Sequence, residues 1–318
     1  MKLVIQLPCH NEEESLPSTL GDLPRTVSGF DSVEWLLIDD GSTDRSVETA
    51  RAHGIDHVLS LPGRRGLANA FLAGLETALQ RGADVVVSTD ADNQYRGADV
   101  ATLVRPIVEG RADMVIGERP ADSMASPTKK LLQWLGSAVV RRISGTTVPD
   151  ATSGFRAYTQ AAALQLNVFS SFSYTLETII QLGLCRARIV SVPIGVNPVA
   201  RPSRLFRSIP EFVFKQALTI VRIFVIYRPV EIFAWPGALL VLLGQLPAAR
   251  FLLLYMGGRG QGHVQSLILA SLLVSIGALL LLAAMIASIT AANRVLLEDL
   301  RVRIRRMEVE LAVRKHAE

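Results

Sequence analysis

Residues 82–95 read GADVVVSTDADNQY, an apolar run that ends in closely spaced acidic and amide side chains. The run is too short to be anything but a buried strand. In an extended chain every second side chain points the same way, so Asp90, Asp92 and Gln94 are expected to converge beyond the C-terminal end of that strand. Like charges packed there repel unless a cation lies between them, and Mg²⁺ or Mn²⁺ prefers such oxygen ligands. A polar cap that turns the strand into a loop is the alternative.

Strand and helix signals alternate through the first 200 residues. Short apolar strands are predicted, with helices between them, in KLVIQLP (2–8), VEWLLIDDG (33–41), HVLSLP (57–62), ADVVVSTDAD (83–92) and ADMVIGER (112–119). This alternation predicts an α/β fold with a mostly parallel sheet covered by helices on both faces.

Ligands bind beyond the carboxyl ends of the strands in such sheets. Three of the predicted strand ends continue into acidic or amide-rich loops, PCHNEEE, DDGSTD and TDADNQ. A nucleotide and metal site is therefore predicted at this edge of the sheet. Asp39 and Asp40 can accept hydrogen bonds from a base and a ribose there, or form an Asx turn into the helix that starts at residues 42–44; the two roles are compatible.

Hydrophobic residues make up 49% of the chain, and they are most concentrated in residues 229–293. Two stretches, from Ile232 to about Tyr255 and from about Val264 to Asn293, exceed the ~20 residues needed to cross a bilayer. Basic residues flank the pair on its outer sides, so the positive-inside rule predicts a multi-pass protein of the cell membrane with its N-terminal domain and tail in the cytoplasm. Because these basic residues lie beside apolar helices rather than among exposed aromatics, nucleic-acid binding is not expected.

Between the domain and the spans, aromatic and branched side chains alternate with Lys and Arg, which predicts interfacial amphipathic helices. The predicted domains are a catalytic domain (1–200), interfacial helices (201–230), two transmembrane helices (231–293) and a basic cytoplasmic tail helix (294–318). In the tail, an a/d heptad pattern is formed by Leu297, Leu300, Ile304, Met307 and Leu311. It indicates either a homo-oligomer through 297–311 or packing of the tail on the catalytic domain.

Five segments match a known family in order and spacing: LPCHNEEESL (7–16), LLIDDGSTDRS (36–46), GLANAFLAGLETA (66–78), STDADNQY (88–95) and SGFRAY (153–158). They resemble family-2 glycosyltransferases with the A-type nucleotide-sugar fold, and the two apolar stretches narrow the resemblance to the polyprenyl-phosphate glycosyltransferases. The resemblance implies metal-dependent, inverting transfer of a sugar from GDP-mannose or a UDP-sugar to a polyprenyl phosphate at the cytoplasmic membrane face. The implied cofactor is Mg²⁺ or Mn²⁺.

The same resemblance implies roles for individual residues. The nucleotide pocket would be lined by Pro8, Asn11, Glu12, Asp39, Asp40 and Gly41. The cation and the donor diphosphate would be held by Asp90, Asp92 and Gln94. The acceptor phosphate would be held by Arg119, with Asp150, Ser153, Gly154 and Arg156 near the acceptor. The acceptor phosphate or the diphosphate would also be bound by Lys129, Lys130, Arg201 and Arg204. The catalytic residues would be Asp92, Arg119 and Glu177.

Some positions are open or depart from the family pattern. Lys129 and Lys130 lie in a stretch where relatives often carry an arginine, and an ammonium group lacks the bidentate geometry of a guanidinium. Glu177 either orients groups in the pocket or is an exposed helical acid. A phosphate nucleophile is already ionised near neutral pH, since its second pKa is about 6, so no general base is required and His10 is not expected to be one.

Other functions compete with this interpretation. A nucleotidyltransferase would carry a glycine-rich loop after its first strand, where this chain has PCHNEEES, and a processive polysaccharide synthase would carry a Gln-x-x-Arg-Trp motif that is missing here. An inert membrane-bound scaffold that binds nucleotide sugars would not need the acidic pair and Gln94 together. Transfer to a soluble or protein acceptor would make the basic residues near the membrane superfluous, and transfer to a different lipid is a further alternative.

Overall fold

The computed structural model describes residues 1–120, 127–168, 174–198, 218, 221, 225, 227–258 and 264–317, with the helical backbone only at 127–135 and 313–317. The chain divides into two compact units. The first comprises Met1–Gln216 together with Arg301–Glu318, and the second comprises Ala217–Leu300.

The first unit is built on a seven-stranded sheet with strand order β3-β2-β1-β4-β6-β5-β7. The strands are β1 (Lys2–Cys9), β2 (Ser32–Asp39), β3 (His57–Ser60), β4 (Val85–Ser88), β5 (Met114–Glu118), β6 (Arg156–Thr159) and β7 (Ile189–Pro193). Neighbouring strands are parallel except at β6, which runs antiparallel to both β4 and β5. The predicted α/β architecture with a mostly parallel sheet is therefore confirmed.

Within the described residues, the named α-helices are α1 (Leu16–Asp22), α2 (Ser46–Ala52), α3 (Leu67–Gln80), α4 (Val100–Val108), α5 (Pro127–Ser144), α6 (Gln160–Gln165), α7 (Thr175–Leu184), α8 (Pro229–Met256) and α9 (Val264–Ala317). Every residue of β1 after Lys2 is buried, so helices cover both faces of the sheet centre. One face packs against α1 and α4, and Gly74 of α3 lies against the side chains of Gln6 and Ile38 on the other.

The five predicted strands are present, but β6 and β7 were not predicted. β6 has only four residues and begins with a charged residue, Arg156, so no apolar run marks it. β7 is partly exposed along its length, although the segment RIVSVP (188–193) carries a recognisable run of branched residues. The antiparallel direction of β6 follows from tertiary pairing, which a local pattern does not encode.

The second unit contains two helices that are long and apolar enough to cross a membrane, judged by length and composition. They pack closely through small residues: a Cβ atom on Gly237 of α8 would lie 2.9 Å from the carbonyl oxygen of Gly277 in α9. Such close approach is typical of helix pairs in membranes. The predicted interfacial helices at 201–230 lie mostly outside the described residues, and α9 runs past the predicted span end at Asn293 without a break.

The last part of α9 returns to the first unit. Val309 is buried against α3 and α6, and Arg305 Nη1 donates a hydrogen bond to the carbonyl oxygen of Leu166 at 2.9 Å. The tail thus packs on α3 and α6 of the first unit, which agrees with one of the two expectations for its heptad pattern. It does so through a different face from the heptad pattern, because Ile304 and Met307 are exposed.

Candidate active site

Three acidic loops meet at one edge of the sheet because their strands are neighbours. β1 lies between β2 and β4, with Cys9 paired to Asp39 and Gln6 paired to Ser88. All three strands are parallel, so their carboxyl ends point the same way. The loops that follow them are therefore adjacent, as the sequence predicted.

The first two loops are joined by hydrogen bonds between backbone and side chain. Asn11 adopts a left-handed conformation with φ 57°, and its Oδ1 accepts a hydrogen bond from the backbone N–H of Thr43 at 2.7 Å. Its own N–H donates to Ser42 Oγ at 3.0 Å, and the N–H of Glu12 donates to Ser46 Oγ at 2.7 Å. Asn11 and Glu12, both predicted to bind the nucleotide, are thus fixed in place at this edge. Pro8, the third predicted residue in this stretch, is buried within β1.

Asp39 and Asp40 are buried and hydrogen-bonded to backbone groups. Asp39 Oδ1 accepts from the N–H of Ser42 at 2.8 Å, which is the Asx turn expected from the sequence. The two carboxylate oxygens of Asp40 accept from the N–H groups of Arg65 and Gly66 at 2.6 and 2.8 Å. Asp40 therefore anchors the loop in front of α3, and a contact with the nucleotide stays a prediction.

Gly41 is required by the shape of this region. Its φ is +72°, and a Cβ atom would lie 2.8 Å from the backbone nitrogen of Arg64. Any side chain would push the β3–α3 loop away from the acidic edge.

The segment after β4 turns earlier than the extended alternation predicts, so that part of the sequence-based argument is wrong. β4 ends at Ser88, Ala91 and Asp92 form a turn, and Asn93 has φ 56°. The physical cause is distant in sequence: the carbonyl oxygen of Ala91 accepts hydrogen bonds from Ser15 Oγ at 2.9 Å and Thr19 Oγ1 at 3.1 Å. The polar turn that the sequence offered as the alternative to a cation site is therefore present, and the acidic pair Asp90 and Asp92 lies within it.

The two carboxylates of this turn have different environments. Asp92 is exposed, and its Oδ1 accepts a hydrogen bond from the N–H of Gln94 at 3.1 Å. Asp90 is partly buried. Burial, followed by the charge of Asp92, raises the pKa of Asp90 to about 7, although the charge of Arg119 partly offsets these effects.

This environment fits a divalent cation. A carboxyl whose pKa is raised by a like charge gains stability when a cation compensates that charge. The available donors, Asp90, Asp92 and the amide of Gln94, are the oxygen ligands that Mg²⁺ and Mn²⁺ prefer. Among the described residues no cluster of three His, Cys, Asp or Glu side chains could hold a metal ion, so the remaining ligands would have to come from an amide, water or substrate.

The SGF loop (residues 153–155) packs directly against Asp90. A Cβ atom on Gly154 would lie 3.0 Å from Asp90 Oδ2, and the N–H of Gly154 donates to Tyr95 Oη at 2.9 Å. The hydroxyl of Tyr174 donates to the carbonyl oxygen of Gly154 at 3.2 Å. Ser153 lies in the same loop, and its Oγ is buried without a hydrogen-bond partner among the described residues.

Arg119 is held by a bidentate ion pair. Its Nε and Nη2 groups donate to Asp150 at 2.8 and 3.0 Å, and Nη2 also donates to Thr152 Oγ1 at 2.7 Å. Burial would raise the pKa of Asp150, but the hydrogen bonds and charge of Arg119 outweigh it and hold that pKa below its ordinary value. Among the described residues, Nη1 has no hydrogen-bond acceptor.

Arg156 has a different environment from the one its predicted role requires. It is fully buried and donates to the carbonyl oxygens of Ser153, Thr175 and Ala151 at 2.7, 2.7 and 2.8 Å. It also donates to Thr178 Oγ1 at 2.7 Å. The guanidinium therefore ties the SGF loop to α7, and a direct contact with an acceptor phosphate has no support in this geometry.

The remaining predicted residues are only partly placed. Glu177 lies in the first turn of α7 and is buried, so the alternative of an exposed helical acid is wrong. Lys129 and Lys130 lie on α5, where the backbone only is described, and Arg201 and Arg204 fall outside the described residues. Sequence reasoning missed Ser15, which precedes α1, and Thr19 within it; their spacing of four would have marked a shared helix face.

Comparisons with known proteins identify the family. The family model described as "Glycosyl transferase family 2" matches residues 4–166. Undecaprenyl-phosphate mannosyltransferase of Micrococcus luteus is 34% identical over 206 residues, which cover 61% of this chain and 83% of that protein. Polyprenol monophosphomannose synthase of Mycolicibacterium smegmatis is 31% identical over 166 residues, which cover 49% of this chain and 61% of that protein.

A solved structure shares the fold. Glucosyl-3-phosphoglycerate synthase from Mycobacterium tuberculosis, in complex with Mn²⁺, UDP and glucosyl-3-phosphoglycerate, superposes with a TM-score of 0.55 at 21% identity. The match covers 69% of this chain and 79% of that one. Because the family model spans more than half of the chain and includes the acidic turn after β4, the chain belongs to glycosyl transferase family 2.

Proposed function

We propose that this glycosyltransferase moves a sugar from a nucleoside diphosphate sugar, GDP-mannose or a UDP-sugar, to a polyprenyl phosphate. The observation that carries the proposal is the acidic turn: Asp90 and Asp92 follow the central strand β4, and Asp90 has a raised pKa that a cation would relieve. The turn lies where nucleotides bind in open α/β sheets.

The donor diphosphate is proposed to bind between the acidic turn and the loop at Asn11 and Glu12. A divalent cation held by Asp90, Asp92 and Gln94 would neutralise charge on the diphosphate as it leaves. The solved relative that contains UDP also contains Mn²⁺, which supports a cation of this class without deciding between Mn²⁺ and Mg²⁺.

The acceptor phosphate is proposed to contact Arg119. Asp150 and Thr152 fix the guanidinium through Nε and Nη2, so Nη1 can donate to a phosphate oxygen without a change of rotamer. A phosphate oxygen is an ionised nucleophile near neutral pH, so attack on the sugar requires no base from the chain. Direct displacement of this kind inverts the configuration at the anomeric carbon.

A lipid acceptor is supported by the chain itself and by its relatives. The two apolar helices α8 and α9 are long enough to hold the protein in a bilayer, where a polyprenyl phosphate is found. The relative in Micrococcus luteus is named for undecaprenyl phosphate and mannosyl transfer, and the one in Mycolicibacterium smegmatis is named for the synthesis of polyprenol monophosphomannose. We propose that both helices span the cell membrane and that the catalytic unit faces the cytoplasm.

The test is a transfer assay on the full chain in detergent with labelled nucleotide sugars, polyprenyl phosphate and Mn²⁺ or Mg²⁺. Label is expected to move into the organic phase, and chelation of the cation should stop it. Asp92→Asn should lower the rate by about 10²- to 10³-fold, because loss of one electrostatic stabiliser costs roughly 3–4 kcal/mol.

Asp84→Asn is the matched control, because Asp84 precedes the other end of the same strand and accepts a hydrogen bond from the N–H of Lys2 at 2.7 Å. This variant should keep its transfer rate. Unchanged transfer in Asp92→Asn would contradict the metal assignment. Label that moves from the nucleotide sugar onto phosphoglycerate when phosphoglycerate replaces the lipid, with the two compounds separated by ion-exchange chromatography, would indicate a soluble acceptor. Donor binding with no transfer to either acceptor would indicate a scaffold.

A further inference from the structure

The C-terminal part of α9 has two faces with different surroundings. The docked face comprises Val302, Arg305, Val309 and Ala312, which are partly or fully buried. The seam comprises the a and d positions of the heptad pattern, Leu297, Leu300, Ile304, Met307 and Leu311. On a helix with 100° per residue the centres of the two faces lie roughly 140° apart.

The docked face has its packing and hydrogen-bond partners within the same chain. Val309 fits between α3 and α6, near Leu75, Leu79 and Leu164, and Arg305 bonds to the carbonyl oxygen of Leu166 at 2.9 Å. These contacts fix the rotation of the helix about its own axis. The seam is thereby directed away from the catalytic domain that it could otherwise have covered.

The seam is an exposed apolar stripe. Ile304, Met307 and Leu311 are 51%, 55% and 66% exposed, and the stripe continues to Leu297 and Leu300 on the same helix. The hydrocarbon of a membrane is a poor occupant, because nine of the nineteen residues from Arg294 to Ala312 are charged. This contrasts with the preceding part of α9, which has no charged residue from Val264 to Asn293.

We propose that the seam binds the seam of a second copy of this chain in a parallel, in-register, two-stranded coiled coil. The parallel direction follows if both copies are inserted in one membrane with the same topology, because they are then related by rotation about the membrane normal. This step rests on the proposed membrane insertion of α8 and α9.

The charges beside the seam complement one another in this register. With Leu297 at a, the g position of one helix is Arg303 and the following e position of the other is Glu308, and these two residues meet in a parallel pair. In sequence, the next g and e positions are Glu310 and Lys315, again of opposite charge. Acidic residues at these positions also disfavour an anionic lipid surface as the occupant.

Two heptads are short for a coiled coil, but two features of this chain lower the free-energy cost of association. The helix is ordered by its docked face before it associates, which removes most of the entropy loss of helix formation. Membrane insertion confines both copies to a plane and raises their effective concentration. Because the seam and the docked face are on opposite sides, a partner can bind without displacing the catalytic domain.

The test is disulfide crosslinking in native membranes, with the exposed Cys185 changed to Ser and the buried Cys9 retained. Ile304→Cys and Met307→Cys should each give a crosslinked dimer, because identical a or d positions face each other only in a parallel, in-register pair. Arg306→Cys is the matched control: Arg306 is exposed on the same helix at a c position, and it should give little dimer.

Equal crosslinking at all three positions, or none at Ile304→Cys and Met307→Cys, would overturn the proposal. Protection of these two cysteines from a water-soluble maleimide without any dimer would mean that the membrane surface covers the seam, and would also overturn it. Transfer measured on the same membranes separates the two proposals, since loss of the dimer with transfer intact refutes the coiled coil only.

A charge exchange provides a second readout. Arg303→Glu and Glu308→Arg, each made in the Met307→Cys background, should lower the dimer yield by about threefold, because each places like charges opposite one another. The double variant Arg303→Glu/Glu308→Arg should restore the yield. Yields that do not respond to any of these changes would contradict the parallel register.

Discussion

The two halves of the sheet edge use charged side chains in different ways. In the half formed by β2, β1 and β4, the carboxylates of Asp39 and Asp40 accept hydrogen bonds from backbone N–H groups, whereas Asp90 lies beside a like charge and has a raised pKa. In the half formed by β6 and β5, Arg156 donates four hydrogen bonds to carbonyl and hydroxyl oxygens, whereas among the described residues Arg119 donates only through Nε and Nη2.

The comparison separates residues that shape the site from residues that can act on a ligand. A charged group whose hydrogen-bonding capacity is filled by the fold has little left for a substrate. A group whose charge is only partly compensated gains most from binding an ion or a phosphate. On this basis we propose that Asp90 and Arg119 bind ligands in their halves, and that Arg156 positions the SGF loop.

The largest expected effect is on stability, at Arg156. Arg156→Leu removes the donors of several buried hydrogen bonds and leaves their acceptors unsatisfied, so the free energy of unfolding should fall by about 3–5 kcal/mol. Thermal unfolding of the purified protein measures this loss. A variant that keeps its melting temperature but loses transfer would show that Arg156 acts on substrate. That result would contradict the distinction between Arg156 as a positioning residue and Arg119 as a ligand-binding residue.

A smaller effect is expected at Asp150, which is the partner of Arg119. Asp150→Asn weakens a charged hydrogen-bonded pair and should cost roughly 1.5–3 kcal/mol of stability at pH 7. Because the pKa of Asp150 is lowered by Arg119, its contribution is present above the ordinary carboxyl pKa of about 4 and is lost as pH falls through the lower pKa of the folded state.

Melting temperatures measured from pH 7 down to pH 3 check this sign. The gap between wild type and Asp150→Asn should narrow as the solution becomes more acidic. A gap that stays constant over this range, or widens in acid, would show that the ionised carboxylate does not hold Arg119.

The smallest expected effect is at Gly154. A Cβ atom there would lie 3.0 and 3.2 Å from the two carboxylate oxygens of Asp90, so Gly154→Ala should displace that carboxyl by a few tenths of an ångström. Transfer should fall by about tenfold in kcat/KM, which corresponds to roughly 1.4 kcal/mol. Gly21→Ala is the control, because a Cβ atom on Gly21 of α1 meets nothing within 4 Å. Equal activity in the two variants would show that the SGF loop does not position the carboxyl of Asp90, and would contradict this prediction.

The sequence was sufficient for the features that depend on long apolar or periodic segments. The five strands with apolar runs, the shared edge of acidic loops and the two long apolar helices were all predicted, because burial on a sheet or in a bilayer imposes a pattern over many residues. The family resemblance was carried by the loops that follow β1, β2 and β4, and the family comparison confirmed it.

The features that escaped prediction depend on contacts between distant residues. The turn after Asp90 is held by Ser15 and Thr19, more than seventy residues earlier in the chain. Arg119 and Arg156 are both arginines in recognisable motifs, and only their burial distinguishes them. The tail was predicted to be amphipathic, but which face packs on α3 and α6 is decided by Arg305 and Val309 rather than by its heptad pattern.

The most direct test of the central claim is Mn²⁺ binding, followed by electron paramagnetic resonance with UDP or GDP present. The wild-type chain and Asp84→Asn are expected to bind one Mn²⁺ per chain, and Asp92→Asn is expected to lose it. Mn²⁺ bound by Asp92→Asn as tightly as by the wild type would contradict a cation site at the end of β4.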